Sequence, residues 1–354
     1  MTNRSRSPVA KGGPWTIARG ESFAVQLDPA RSGYNPAMIE VQTTDRAASL
    51  TLTNIVLDDA GKHEGSVFAQ AVSGEAKEDN TVYVQDAIVA SNATYPCTIT
   101  LGNGAVLRNF GGESAVRATN QAQIVMKSGS VIEDTLEGFT RTKGSASGEV
   151  GPAGAVWLQG GSFTMEAGAK IQNLDGRAVY VDGGEAEISG TISNITANQN
   201  MWQGKDGTAI HLRGSAVGTL NGKISNCTDG ALVFVDKASF EMTAGSFLGN
   251  SAAAGIKTNE EPKGLVDKSD YDTNRNKITI DGEIAGIKGK KNPVQFKFGK
   301  LLIGSNANIH DNLVSYGTLY IQRDAIVDIY GKIVNNTADS RGGGIATPGH
   351  GTVA

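Results

Sequence analysis

The stretch AVYVDGGEAEISGTISNIT (178–196) contains three short alternating runs, each followed by a break. AVYVD runs into Gly183-Gly184, AEIS into Gly190, and TIS into Asn194. Glycine reaches backbone conformations closed to other residues, and asparagine tolerates the left-handed region while bonding locally, so each break reads as a tight corner. Alternation within a run places successive side chains on opposite faces of a strand. The stretch is therefore a phrase of three strands and three corners.

The phrase recurs. AVWLQGG (155–161), AVYVDGG (178–184), AIHLRGS (209–215), LVFVDKA (232–238) and TLYIQRD (318–324) follow one template. Ala155 to Ala178 is 23 residues, Ala178 to Ala209 is 31, and Ala209 to Leu232 is again 23. The longer step holds the insertion NQNMWQGKD (198–206), which leaves an underlying period of 23. A second strand follows each first one: FTME (163–166), AEIS (186–189), GTLN (218–221), FEMT (240–243) and VDIY (327–330). A third ends at Asn173, Asn194, Asn226, Asn250, Asn312 or Asn335, the expected corner residues. Related phrases at 49–59, 97–109, 123–134, 277–286 and 294–312 bring the expectation to about ten turns.

Three short strands per turn, repeated in phase, predict an all-β parallel β-helix, in which each turn stacks ~4.8 Å from the last and the stack makes one continuous core. A β-sandwich is the alternative, but nothing in it would hold a constant phase. The inner file of strand one reads Val156, Val179, Ile210, Val233, Ile256 and Leu319, followed by Leu158, Val181, Leu212, Val235 and Ile321. The expected division is an N-terminal segment over 1–40, with a cap strand within PWTIARGESFAVQL (14–27), and the helix over 41–354.

Composition narrows the function classes. The 46 glycines among 354 residues exceed the usual ~7%, while nine prolines exclude a collagen-like or proline-rich chain. A net charge of −4 with dispersed Lys and Arg argues against nucleic acid as a partner. No apolar run approaches ~18 residues, so no membrane insertion is expected. Cys97 and Cys227 read as two buried thiols, not a disulfide framework. His63, His310 and His350 fall in different phases, and no Cys/His cluster has ligand spacing, so neither metal nor cofactor is expected. The sequons at Asn92, Asn194, Asn226 and Asn335 read as corner positions.

The repeat resembles the right-handed β-helix of the pectin-lyase-like superfamily. GGSFTMEAGAKIQN (160–173) and GKIVNNTADSRGGGIA (331–346) are similar to the repeats of bacterial surface adhesins and polymorphic outer-membrane proteins. The GG-A-[IV] element of those repeats appears as Gly343-Gly344-Ile345 and the F-x-x-N element, loosely, as Phe247-Leu248-Gly249-Asn250. The resemblance extends from about residue 40 onward and implies a right-handed coil, an extracellular or cell-surface location and a bacterial source. It is weak for activity, because one fold carries many functions. The segment RGGGIATPGHGTVA (341–354) opens another turn with no cap, so the expectation is a piece of a longer protein whose signal and anchor lie outside it.

With the inner file assigned, alternation dictates an outer one: Trp157, Tyr180, His211, Phe234 and Lys257, then Tyr320. Gln159, Asp182, Arg213, Asp236 and Gln322 run beside it. Stacked rings and alternating charges support neighbouring strands. Rigid exposed rings rimmed by polar groups also make a platform for a glycan or a host protein. The insertions at 140–154, 198–206 and 259–276 would bank this face, with Trp202 leaning over it. The expected ligand-binding set is Trp157, Tyr180, His211, Phe234, Asp182, Arg213, Asp236 and Trp202, with no catalytic residue assigned. The alternative is a polysaccharide lyase or glycoside hydrolase working on the same face. Its carboxylate pair, Asp182 and Asp236, is separated by Arg213, which favours ion pairing over metal binding or a raised acid.

Overall fold

The computed structural model describes residues 9–11, 15–18, 37–42, 47–58, 86–91, 95–110, 114–120, 122–134, 154–196, 207–228, 230–258, 276–289, 291–322, 325–339, 343–347 and 352–353. The opening stretch forms strands Val179–Asp182, Glu185–Ile188 and Thr191–Thr196. Each joins a different sheet. Among the described residues, sheets one and two have twelve strands each and sheet three has ten, and strands adjacent in a sheet come from successive turns. All pairing between described strands is parallel, as in Val156 on Val179, Phe163 on Ala186 and Ile171 on Ile192. The chain is thus a parallel β-helix, with the right-handed sense of crossover connections between parallel strands.

The core is the stack of inner files. In sheet one, Val156, Val179, Ile210, Val233, Ile256, Val294 and Leu319 lie in register and fully buried. Sheet three stacks Ile132, Ile171, Ile192, Ile224, Leu248, Ile284 and Ile309 in the same way. Burying each of these side chains contributes about 1.5–3 kcal/mol against the entropy of ordering the chain. The second inner file departs from its aliphatic expectation: after Val235 come buried Thr258 and then Phe296 before Ile321. The Thr258 hydroxyl is satisfied there by accepting the Lys297 N–H at 2.9 Å.

The left-handed bend at the end of sheet three is the most regular, and in several turns the strand runs past it, as where Ile195 pairs with Leu174 and Cys227. Asn109, Asp134, Asn173, Asn194, Asn226, Asn250, Gly286, Asp311 and Asn335 occupy the bend in successive turns, with φ between 47° and 71°. Side-chain amides link the corners along the stack: Asn194 donates to Asn173 at 2.9 Å and Asn226 to Asn194 at 3.2 Å. One expected corner residue is displaced by a position. Asp311 takes the left-handed conformation (φ 52), while Asn312 is buried, accepting the Ile287 N–H and donating to the Ile284 carbonyl. An amide can do both at once, and it closes the turn beneath. Of the sequon residues, Asn194, Asn226 and Asn335 are corner residues, and Asn92 lies outside the described residues.

The corner between sheets one and two is tight enough to demand glycine. Gly184 has φ 89, and a Cβ there would lie 2.4 Å from the Gly161 carbonyl oxygen of the turn below. At the N-terminal end, Val9–Lys11 pairs with Glu40–Gln42 and Trp15–Ala18 with Leu50–Thr53, the first rungs of sheets one and two. No described helix is long and apolar enough to cross a membrane.

Candidate functional site

Alternation puts one face of sheet one outside, and the register bears out the file. Arg117, Trp157, Tyr180, His211, Phe234, Lys257, Gln295 and Tyr320 lie side by side on successive strands. The rings form a spine. Tyr180 and His211 meet edge to face at 4.9 Å between centroids, and His211 and Phe234 at 4.8 Å. Cations close both ends: the Arg117 guanidinium lies 5.4 Å from the Trp157 centroid, and the Lys257 ammonium 5.9 Å from that of Phe234. Arg177, at the corner before Tyr180, lies over the Tyr180 ring at 5.5 Å. Edge-to-face ring pairs are worth about 0.5–1.5 kcal/mol each and cation–π contacts about 0.5–2 kcal/mol, so the spine ties successive turns together.

The exposure of this file differs from the sequence expectation. Trp157, Tyr180 and His211 are only 8%, 1% and 9% exposed, while Phe234, Lys257 and Tyr320 are half-buried. Pointing away from the core is not the same as facing solvent. The outer side of a sheet is a second packing surface, and Arg177, itself 8% exposed, is one of the groups covering it.

The polar file is the open part of the face. Thr119, Gln159, Asp182, Arg213 and Asp236 follow one another in register. Gln159 is exposed, and the Arg213 and Asp182 side chains are 53% and 36% exposed. The Arg213 guanidinium sits 4.0 Å from the Asp182 carboxylate and donates to the Tyr180 hydroxyl at 3.5 Å. An ion pair this open contributes at most about 1 kcal/mol. Burial pushes the Tyr180 phenol above its ordinary value, with the Arg213 hydrogen bond pulling the other way. The Tyr180 hydrogen bond in turn holds Arg213 firmly protonated.

Asp182 and Asp236 are two strands apart, ~10 Å at the usual strand spacing, with Arg213 between them. That arrangement does not present paired carboxylates to one reacting atom. Among the described residues no group of three His, Cys, Asp or Glu side chains is placed to hold a metal ion. The Trp157 indole N–H is buried with no hydrogen-bond partner among the described residues.

Of the eight expected residues, seven fall on these two adjacent files, and Trp202 lies outside the described residues. The three insertions expected to bank the face lie outside them too, apart from Gly154 and Asn276. Sequence reasoning missed Arg117 and Arg177. AVRATN (115–120) matches the template, but Ala115 stands 40 residues before Ala155, off the period because an insertion intervenes. No family model, curated protein or solved structure matches the chain.

Proposed function

We propose that this chain is an extracellular bacterial surface module, a stiff β-helical segment of a stalk or adhesin that presents sheet one to a glycan or host protein. The observation that carries the binding part is the open polar file of sheet one, where Gln159, Asp182 and Arg213 lie in register, with Gln159 exposed and the Arg213 and Asp182 side chains 53% and 36% exposed. These polar groups offer the mixed donors and acceptors that hydroxyl-rich ligands use, on a scaffold whose strands are held from both sides. The similarity of the GG-A-[IV] phrases to adhesin repeats supports the surface location.

The test is retention on a glycan array and on host cells, comparing the wild type with Arg213→Ala and Gln159→Ala. Both side chains are exposed, so melting should fall by no more than a few degrees while retention is lost. A wild type that is retained nowhere, or variants retained as well as wild type, would overturn the assignment of this face.

A further inference from the structure

His310 stands on the outer face of sheet three, where both of its ring nitrogens meet carboxylates. Nδ1 lies 2.8 Å from the Asp311 carboxylate on its own corner, and Nε2 lies 3.1 Å from Glu283 on the preceding turn. The register aligns Ala285, His310 and Val334 in one file, and Glu283, Asn308 and Lys332 in the next. The histidine therefore reaches diagonally back across the sheet to bridge two turns. Its side chain is only 20% exposed. The five turns before it carry neutral groups at the His310 position, Gln172, Ser193, Ser225, Gly249 and Ala285. The charged Asp58, Arg108 and Glu133 of the earliest turns stand further along the same file.

A neutral imidazole has one N–H and one lone pair. In this setting it can satisfy one carboxylate and must turn its lone pair on the other. The imidazolium donates to both, and only that form links the two turns by charge-assisted bonds, which are about twice as strong as neutral ones. The other charged groups on the elements packed around it are Asp281 and Lys288, flanking the Glu283 strand, and Lys332 and Asp339 on the following turn. Hydrogen bonds to the carboxylates of Asp311, then Glu283, hold the His310 pKa above its ordinary value, opposed by partial burial.

We propose that His310 is an acid-engaged pin, a protonation switch that locks the turn carrying residues 308–311 onto the turn carrying Glu283. A histidine whose folded pKa is raised stabilises the fold fully below its unfolded value of about 6.5, and that contribution is lost as pH rises through the folded value. The two turns are thus held more tightly below the histidine's folded midpoint than above it. This reading stands apart from the proposed binding face, since His310 lies on a different sheet.

The test follows the histidine ring signals of the full chain by proton–carbon correlation spectra across pH, with His310→Gln assigning the signal among four histidines. The His310 midpoint should lie above 6.5 in wild type and fall in Glu283→Gln. Hydrogen exchange of the amides at 308–314 should be faster in His310→Gln than in wild type at pH 5.5, tenfold for each unit by which the midpoint is raised. The two proteins should exchange alike at pH 8.5. A wild-type midpoint at or below 6.5, a midpoint that Glu283→Gln leaves unmoved, or an exchange ratio equal at both pH values would overturn the pin.

Discussion

Gly218 offers a direct probe of how the core is packed. It sits on an inner file of sheet two, in register between Ala186 and Phe240, where every neighbour carries a side chain. A Cβ at Gly218 would lie 2.5 Å from Leu212 Cδ1 and 3.1 Å from Cδ2, so the Leu212 side chain of sheet one fills the space. Its backbone is outside the left-handed region, which leaves sterics as the reason for glycine. Gly218→Ala should therefore destabilise by about 1–3 kcal/mol, offset by a few tenths to 1 from the stiffer unfolded chain. Leu212→Ala, at a fully buried position, should cost about 2–5 kcal/mol. In the double variant the new methyl enters the space that Leu212 vacates. It should be more stable than the sum of the singles predicts, by about 1–3 kcal/mol. Urea unfolding followed by tryptophan fluorescence, with unchanged m-values as the check on cooperativity, measures all three. Strict additivity would refute the reasoning, because Gly218 would then owe its identity to something other than Leu212.

The remaining predictions concern the corners and the thiols. Asn194→Ala loses both a residue suited to φ 58 and the amide links to Asn173 and Asn226, and should cost about 1–2 kcal/mol in urea unfolding. Asn194→Gly keeps the backbone conformation, so it should lie closer to wild type than the alanine variant does; the reverse order would remove the conformational explanation. Burial pushes the Cys97 thiol up to about 11 and the Cys227 thiol to about 12. Neither should react with an alkylating reagent at pH 8 in the folded chain, and both should react in denaturant, as counted by mass spectrometry.

The inner files were legible because repetition amplifies a weak signal. One AVYVD run is compatible with many folds, but the same run at Ala155, Ala178, Ala209 and Leu232 with a constant phase is not. The corner asparagines were legible for a related reason, since few residues accept that backbone conformation and each turn needs one. Asn312 shows the limit. Asp311 and Asn312 are both suited to the corner, and the choice between them was made by the Ile287 and Ile284 backbone groups of the turn below, which the asparagine amide satisfies. Likewise two of the sheets run to twelve strands, beyond the ten turns expected, and residues 9–18 supply one of the added strands in each by pairing in register without carrying the repeat phrase.

Which side of each strand faces the core follows from residue order alone, since alternation is local and the turn-to-turn phase is arithmetic. The same arithmetic puts Trp157, Tyr180, His211 and Phe234 in one file and Arg213 between Asp182 and Asp236. What lies over the outer side is a matter of stacking. There Arg117 and Lys257 close the ends of the spine and Arg177 covers part of it, and a ring expected in solvent is 1% exposed. Stacking also brings His310 to Glu283, 27 residues earlier in the chain. Burial and diagonal contact depend on which turns meet and at what register. Those are properties of the closed coil, and no single turn contains them.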